Sequence, residues 1–534
     1  MNRFITILAI VISLLIATDL IIHKLAGDSL IVPLSQIEKI TFPTVNDTTY
    51  LITGDSLTVP LSQIDKITFS NVNDTPPTAD TILVYPGDDI NLIVDNNPEG
   101  TTFIIKSGTH RLLTEIWPKE GNTFWGESGA VLNGSKELTE FEMEGGLYYT
   151  PNQTQQTYNI EDINFEYCQE GWERCAFPED LYFDDEPLRH VTSLDDVESG
   201  KWFFDYEADR IYFADDPIDH SLETSVTNIA FNDNSNNVTI QNLIIEKFAS
   251  SIGHGAVGYN GNSGWIVEGN EIRLNHGNGI VVGSNSVVRE NYIHHNGNFG
   301  IVAGAVEGIS RVSNILYEAN EISYNNYAHV MIYFGGGGTK FSLSDDIRVI
   351  GNYVHHNLGI GLWTDIINNN TLYEGNWVWW NEYAGIAHEV SHDVIIRNND
   401  VRYNGINNDI WLWGSQILIH VSDGAEVLNN TIFIHENGGN GIGVMNYNRS
   451  GHGGGWLGMN NYIHHNEITH LGLWGMNGIV DDGEVGTEYF FDGDNDGTAD
   501  WGCRADEANN LFDYNTYHQN GITKKFELCE NWYL

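Results

Sequence analysis

Basic residues are scarce in this sequence, which has 534 residues, 24 Lys or Arg against 73 Asp or Glu, and a formal net charge of −49 at neutral pH. A surface this acidic makes nucleic acids and anionic membranes poor partners for the protein. Long apolar runs are absent beyond residue 24, so no membrane span is predicted in the body of the chain. Any membrane attachment is therefore expected only through the N-terminal segment.

Residues 1–24 have a basic start followed by an apolar run from Phe4 to Ile16. This arrangement is typical of a signal peptide. No clear small-residue cleavage site follows, so an uncleaved N-terminal anchor is the alternative. Either interpretation predicts a secreted or cell-surface protein that uses bacterial-type export.

Cysteine is also rare, with four residues at positions 168, 175, 503 and 529. An exported chain is expected to form disulfides, and pairing of neighbours in sequence is the simplest of three connectivities. Zinc is not expected, because no CxxC spacing is present. The chain has 12 prolines, 56 glycines and 41% hydrophobic residues, which excludes a disordered protein and suits a turn-rich β protein.

An asparagine recurs after short β-prone runs, at intervals of about 20–40 residues. The positions are Asn270, Asn291, Asn320, Asn352, Asn376, Asn399, Asn430 and Asn466. In the central repeats a second asparagine follows five residues later, as Asn357 follows Asn352. Asparagine tolerates the left-handed corner between two strands, and stacked copies can bond to one another. The pattern predicts an all-β, right-handed parallel β-helix, a solenoid with three short strands per coil. A leucine-rich repeat would need a recurring leucine lattice, which is absent.

The remaining segments are predicted from changes in this repeat pattern. Residues 25–80 contain a tandem duplication, GDSLIVPLSQIEKITF and GDSLTVPLSQIDKITF, and read as a repeat spacer and linker. Residues 81–140 are predicted as the first coils, 141–225 as a β-rich insertion with a hairpin turn near Glu207, and 226–534 as the main β-helix with a C-terminal cap.

One outward-facing column of side chains is the candidate catalytic site. Leu362 and Ile386 each follow a corner glycine and are taken to point into the core. The residue three positions after each of them then points outward. Counted this way, Asp365, Glu389 and His420 lie in register on three adjacent coils. Strands about 4.8 Å apart would make the carboxylates repel, so one should keep its proton to higher pH, and the histidine could complete an acid–base set. The alternative is an ordinary polar face of the solenoid.

Aromatic residues are expected to make this column a sugar-binding groove open to solvent. The candidates for binding substrate are Trp363, Trp411, Trp413, Gln416 and Tyr333, the last at the matching position one coil earlier. Histidine pairs also recur before a turn, at His294-His295, His355-His356 and His464-His465. Their recurrence at one coil position favours a role in the turn over metal ligation.

A separate acidic segment resembles the first part of a calcium loop. Its candidate ligands are Asp492, Asp494, Asp496, Thr498 and Asp500, with a glycine at the sharp turn. Cys503 stands where the bidentate glutamate of such loops is expected, so other ligands would have to close the site. The alternative is an acidic surface loop. Calcium is the one cofactor considered, and no organic cofactor is predicted.

The motifs GNYVHHN, GLWTDI, TLYEGN, GIAHE, VIIRNN and WLWG resemble bacterial secreted right-handed parallel β-helix repeat proteins of the pectate-lyase-like superfamily, which has the pectin lyase fold. The resemblance covers about residues 81–530. It implies a polysaccharide lyase, hydrolase or epimerase. The lyases need a Lys or Arg base in the groove, and the predicted column has none. A hydrolase is therefore favoured over a lyase.

The leading hypothesis is therefore a secreted polysaccharide-degrading glycoside hydrolase that uses Asp365 and Glu389 on the outer face of a β-helix. One alternative is a polysaccharide lyase or epimerase with calcium on the carboxylates. The other is a non-enzymatic solenoid that binds polysaccharide or acts as a surface adhesin. All three predict a polysaccharide as the partner.

Overall fold

The computed structural model describes residues 81–156, 167–232, 235–259, 262–304, 311–332, 335–406, 411–446, 458–472, 477–481 and 510–519, with backbone alone at 411, 446, 479–481 and 519, and the backbone of short strands outside these ranges. The chain divides into two units, Met1–Ala79 and Asp80–Leu534. The predicted candidates Tyr333, Asp492, Asp494, Asp496, Thr498 and Asp500 lie outside the described residues.

The second unit is a parallel β-helix, which confirms the predicted fold class. Its first sheet has 13 strands, Thr81–Val84, Thr102–Ile105, Thr123–Gly126, Thr239–Gln241, Ile266–Glu268, Val287–Arg289, Val312–Glu318, Ser344–Ile350, Thr371–Glu374, Val394–Arg397, Glu426–Leu428, Tyr462–His464 and Leu511–Asp513. Its second has 12 strands, Gly108–Arg111, Ala130–Asn133, Ile244–Glu246, Glu271–Arg273, Tyr292–His294, Glu321–Ser323, Tyr353–His355, Trp377–Trp379, Asp400–Arg402, Thr431–Ile434, Glu467–His470 and Thr516–Gln519.

The third sheet has 11 strands and carries the candidate site. They are Gly255–Val257, Asn278–Val282, Phe299–Ala303, Gly337–Phe341, Leu362–Asp365, Ile386–Glu389, Ser415–His420, Asn440–Asn446, Asn477–Asp481, Phe526–Leu528 and Asn531–Tyr533. All of them pair in parallel except the last two, which are antiparallel to each other. The helices are Ile90–Asp95 and the 3-10 turns Leu194–Asp196 and Trp411–Gly414. No helix in the described part of the chain is long and apolar enough to cross a membrane.

Apolar side chains fill the interior of the solenoid in stacked columns. Ile280, Ile301, Leu362, Ile386 and Ile442, predicted to point inward, are fully buried in one continuous core. Each such side chain contributes about 1.5–3 kcal/mol when it leaves water. Because every coil covers the apolar surface of the next, the core extends along the whole solenoid.

Two ladders of buried asparagines run along the corners of the coils and confirm the predicted stacked row. In the first, the side-chain amide of each residue donates to the side-chain oxygen of the next, through Asn270, Asn291, Asn320, Asn352, Asn376, Asn399, Asn430, Asn466 and Asn515. The second ladder runs through Asn275, Asn296, Asn325, Asn357, Asn381 and Asn404. Glycine follows the second ladder because a Cβ at Gly361 would lie 2.8 Å from Asn381 Nδ2.

Histidine pairs occupy turns just before a ladder asparagine, but not all at one coil position. His294-His295 and His355-His356 precede asparagines of the second ladder, whereas His464-His465 precedes Asn466 of the first. His295, His356 and His465 have φ angles of 49°, 53° and 55°, in the left-handed region. Within each pair the two Nδ1 atoms are 2.7–2.9 Å apart, and the first histidine reaches a glutamate of the preceding coil. These contacts support the predicted turn role.

Two mainly antiparallel sheets occupy residues 135–225, between the first coils and the main β-helix. One contains Ser135–Glu137, Leu181–Phe183, Glu186–Pro187 and Leu222–Ser225, and the other contains Glu142–Glu144, Leu147–Thr150, Arg189–His190, Lys201–Asp205 and Arg210–Phe213. The predicted hairpin is present, with Asp205 paired to Arg210. Cys168 and Cys175 form the local disulfide, with Cα atoms 5.5 Å apart. The other predicted pair, Cys503 and Cys529, lies outside the described residues.

The first unit contains short antiparallel strands. Ala17–Lys24 pairs with Ser29–Pro33 and with Ile64–Asn71, and Thr49–Ile52 pairs with Leu57–Pro60. Ser29–Pro33 and Leu57–Pro60 lie at matching positions of the two copies of the duplication, and the repeat spacer stays a prediction. Export and cleavage of the N-terminal segment stay predictions.

We predict that Asn399→Ala lowers the free energy of unfolding by about 3 kcal/mol, because it leaves buried donors and acceptors of two neighbouring coils unpaired. Asn399 bonds to Asn430, to the Tyr373 carbonyl and to Asn376. The control is Asn398→Gly, since the exposed Asn398 has a left-handed φ of 57° that glycine accepts. Urea unfolding measures both variants, and equal effects would contradict a structural role for the ladder.

We also predict an acid-sensitive contact between the insertion and the first coils. Burial alone would raise the pKa of Glu223, but hydrogen bonds from Lys247 and Arg111 outweigh it and lower the pKa to about 2. The unfolded carboxyl titrates near 4.5, so this stabilisation is complete above that pH and is lost as the pH falls towards 2. The pKa difference corresponds to about 3 kcal/mol.

Unfolding of the wild type and Glu223→Gln across a range of about pH 2–7 measures this contact. Glu223→Gln should have a lower free energy of unfolding than the wild type at neutral pH. This difference should shrink as the pH falls. Glu99→Gln, at an exposed carboxylate, serves as the control. A gap that is independent of pH would show that the ion pair does not carry the stabilisation.

Candidate functional site

The three predicted catalytic residues lie in one outward column of the 11-stranded sheet. Asp365 pairs in register with Glu389, and Glu389 pairs in register with His420. The adjacent outward column contains Trp363, Ala387 and Leu418 on the same strands. The β-helix register therefore brings together residues that are 24 and 31 positions apart in sequence.

The predicted exposure of this column is wrong. The exposed fractions are 3% for Asp365, 1% for Glu389 and 0% for His420. Leu412, from the turn Trp411–Gly414, packs on this outer face against the cluster containing Trp363 and Leu418. The turn Trp411–Gly414 also brings the Trp413 ring against His420, so this turn covers part of the column.

A lysine adjoins the column, which corrects the expectation that it contains no basic residue. Lys340 Nζ is 2.9 Å from Asp365 Oδ2 and 3.7 Å from the centre of the Trp363 ring. The Lys340 side chain is 12% exposed, so this ion pair is largely removed from water. The pair therefore interacts more strongly than a surface ion pair would.

The second carboxylate is held by an indole and an imidazole. Trp363 Nε1 donates to Glu389 Oε2 at 3.1 Å, and His420 Nδ1 lies 3.1 Å from Glu389 Oε1. The Trp413 ring meets His420 edge-on, with centroids 5.0 Å apart. Burial lowers the pKa of His420 to about 3, against a smaller opposing effect of Asp365, so its ring is neutral at neutral pH.

One carboxylate oxygen in this cluster has no partner. Asp365 Oδ1 is buried and makes no hydrogen bond within the described structure. A buried charged oxygen without a donor is costly, and such groups in native proteins call for an explanation. This oxygen is available to a hydrogen-bond donor of a ligand.

Three of the residues proposed to bind substrate do not match the predicted open groove. Gln416 is fully buried and ends the second asparagine ladder, accepting from Asn404 Nδ2 at 2.9 Å and donating to the Asn404 carbonyl at 2.9 Å. Trp363 is 2% exposed and Lys340 covers its ring, so it offers no open stacking face. Tyr333 is not at the matching position, because Phe341 pairs with Thr364 and so Ser342 precedes Asp365 in the column. Trp413 is half-buried, and Trp411 is described only by its backbone.

Lys340 is the residue that sequence reasoning missed. The prediction places Tyr333 level with Asp365 on the preceding coil. The strand of that coil is instead Gly337–Phe341. The signal that could have found it is the alternation in Thr339-Lys340-Phe341: with the apolar Phe341 inward, Lys340 faces outward.

The cluster contains the groups needed for acid–base chemistry: two carboxylates on adjacent coils, an ammonium and a neutral imidazole. It does not suit the predicted calcium site on the carboxylates, because Lys340 already neutralises Asp365. Among the described residues, no three His, Cys, Asp or Glu side chains are grouped as metal ligands.

No protein-family model matches the sequence, and no curated protein matches it either. Among solved structures, XylC in complex with xylose superposes with a TM-score of 0.56 at 16% identity, covering 80% of this chain and 79% of that chain. The A-module of mannuronan C-5 epimerase AlgE4 from Azotobacter vinelandii gives a TM-score of 0.45 at 12% identity, covering 82% and 92%. The similarity to XylC is one of fold, and with the long parallel sheets described above it confirms the resemblance to parallel β-helix proteins.

We predict that Asp365→Asn lowers the free energy of unfolding by about 3 kcal/mol, because it leaves the buried Lys340 ammonium without its counter-ion. The double variant Lys340→Met, Asp365→Asn should recover part of the loss. A double-mutant cycle by urea unfolding measures the coupling, and strictly additive effects would contradict it.

Proposed function

We propose that the protein acts on a polysaccharide as a glycoside hydrolase, with Asp365 and Glu389 as the acid–base pair. The observation that carries the proposal is the in-register column of Asp365, Glu389 and His420, with its unpartnered buried carboxylate oxygen. Perturbed and buried ionisable groups that converge on one point are concentrated at functional sites.

The fold itself does not require these charges. The next positions in the same column are Ser342 on one side and Met445 on the other, both buried and neither charged. Burying a carboxylate is unfavourable unless it is paired and hydrogen-bonded. Within this column the ionisable side chains therefore occupy three adjacent coils, between Ser342 and Met445.

The geometry suits two carboxylates placed on either side of a glycosidic bond. Carboxyl groups about 5 Å apart would favour retention of configuration, and groups about 6.5–9.5 Å apart would favour inversion. The neutral imidazole of His420 would position Glu389 through their contact. Because the column is covered, a bound sugar chain would have to displace the Leu412 turn from it.

Two further observations support the substrate class. The XylC structure, which shares this fold, contains xylose, a sugar. The net charge of −49 makes nucleic acid an unfavourable partner. We also propose export to the cell surface or medium through residues 1–24, and calcium binding at residues 492–500, both from sequence.

A polysaccharide lyase or epimerase is the second candidate, and Lys340 favours it. An ammonium beside Asp365 supplies the positive charge that would neutralise a uronate carboxylate, which sequence analysis had found missing. A lysine in such a site can also act as a base once it loses its proton.

We predict that Glu389→Gln and Asp365→Asn each lower the rate of polysaccharide cleavage at least about a hundredfold, the lower end of general acid–base contributions. A panel of polysaccharides identifies the substrate. Release of reducing ends without new ultraviolet absorbance indicates hydrolysis, whereas unsaturated, absorbing ends indicate a lyase.

Glu99→Gln is the control, since Glu99 is exposed. Melting temperatures of all variants ensure that the rates compare folded proteins. Cleavage unaffected by either substitution, with stability reduced, would show that the column is structural. Retention on a polysaccharide gel with no cleavage would indicate a binding solenoid.

A further inference from the structure

A cavity of about 200 Å³ lies between the insertion and the coils of the β-helix. Its lining from the insertion includes Trp172, Arg174, Asp180 and Arg189, and its lining from the coils includes His276 and Tyr327. The wall is fixed by backbone contacts, because Gln169 N donates to the His329 carbonyl and Met331 N donates to the Tyr167 carbonyl. The disulfide between Cys168 and Cys175 closes the same segment.

Two arginines in this cavity have no carboxylate partner within the described structure. The Arg174 side chain lies over the Phe177 ring at 4.2 Å and makes no hydrogen bond there, with its Nη1 buried. The Arg189 side chain donates only to the Gly171 carbonyl, and its Nε is buried without a partner. Among the other described arginines, all except the exposed Arg348 pair with carboxylates: Arg111, Arg210, Arg273, Arg289, Arg311, Arg397 and Arg402. In a chain with 73 acidic and only 24 basic residues, two unpaired guanidinium groups in one cavity are unexpected unless they serve an anion.

The one carboxylate that lines the cavity is already engaged. Asp180, 6% exposed, accepts from Tyr327 Oη at 2.6 Å and lies 3.0 Å from His276 Nδ1. His276 Nε2 is in turn 2.9 Å from the Cys175 carbonyl. Asp180 is therefore engaged by His276 and Tyr327, and among the described residues it forms no ion pair with either arginine. The guanidinium groups can offer their positive charge to a ligand.

The cavity also has an aromatic wall. Trp172 stacks on His329, with centroids 3.8 Å apart, and the Arg189 guanidinium lies 4.6 Å from the Trp172 ring centre. His190, which also lines the cavity, stacks on Trp202 at 4.0 Å, and neither of its ring nitrogens has a hydrogen-bond partner in the described residues. Aromatic faces with a few convergent donors are the usual composition of a sugar-binding pocket.

We propose that this cavity binds the acidic group of a saccharide, a carboxylate or a sulfate ester, between Arg174 and Arg189. Guanidinium groups bind such planar or tetrahedral oxyanions through paired hydrogen bonds. The cavity is separate from the Asp365 column, and its residues come from other coils and from the insertion. The protein thus has a recognition site for acidic sugars in addition to its candidate catalytic site.

The test is isothermal titration calorimetry on the full chain with four probes: D-glucuronate, D-glucose 6-sulfate, D-glucose and inorganic sulfate. One of the two acidic sugars should bind, and the pair distinguishes a carboxylate from a sulfate ester. Arg174→Gln and Arg189→Gln should each weaken that binding at least about tenfold, the loss expected for a charge-assisted hydrogen bond. Arg348→Gln, at an exposed arginine, should leave it unchanged.

Equal binding of D-glucose would overturn the anionic part of the proposal, and equal binding of inorganic sulfate would overturn the saccharide part. No binding of either acidic sugar to folded wild type, as judged by its melting curve, would overturn the whole. Weaker binding in Arg174→Gln and Arg189→Gln, with Arg348→Gln unchanged, places the acidic sugar in the cavity. The proposed catalytic column is tested separately, because its failure would show only in cleavage assays.

Discussion

The hydrogen bond between stacked asparagines is the constraint on which the rest of this structure depends. Each buried asparagine, such as Asn376, donates to the next coil and receives from the previous one. The ladder fixes the register of one coil on the next, so that a residue on one strand always meets a given residue on the next. The apolar core supplies most of the stabilisation, but it is not what sets this alignment.

Fixed corners allow the coils to carry inserted segments of different length. The turn Trp411–Gly414 leaves the second ladder unbroken, because Asn404 bonds to Gln416 across it, and the insertion of residues 135–225 precedes the first ladder residue, Asn270. Each of these segments covers part of the solenoid. The insertion creates a cavity beside the corner of the coils, and the turn covers part of the outer face of the 11-stranded sheet. Both candidate sites therefore arise where an irregular segment packs on a regular one.

Charge is distributed unevenly over this acidic protein. Along the outer face of the 13-stranded sheet, arginines pair with glutamates of neighbouring coils, as Arg289 does with Glu268. The ion pair of Lys340 and Asp365 differs, because it is buried and leaves one carboxylate oxygen unpartnered. Arg174 and Arg189 show the opposite imbalance, because these two cations have no carboxylate partner in the described residues. These departures from simple charge pairing mark the positions where a ligand would supply what the protein does not.

The sequence alone determined the periodic part of this protein. The recurring asparagines specified the corners, the coil register followed, and the column of Asp365, Glu389 and His420 could be counted from it. Tertiary structure decided what covers that column, because Leu412 approaches from a segment whose path no period describes. Lys340, by contrast, lies on the regular strand Gly337–Phe341, where alternation alone could have placed it. Tertiary structure likewise showed that Gln416 completes the ladder. It also brought Arg174 and Arg189 into one cavity with His276, whose ring lies against the Cys175 carbonyl 101 residues away in sequence. Local repeats encode stacking, whereas burial and charge pairing depend on contacts between distant segments.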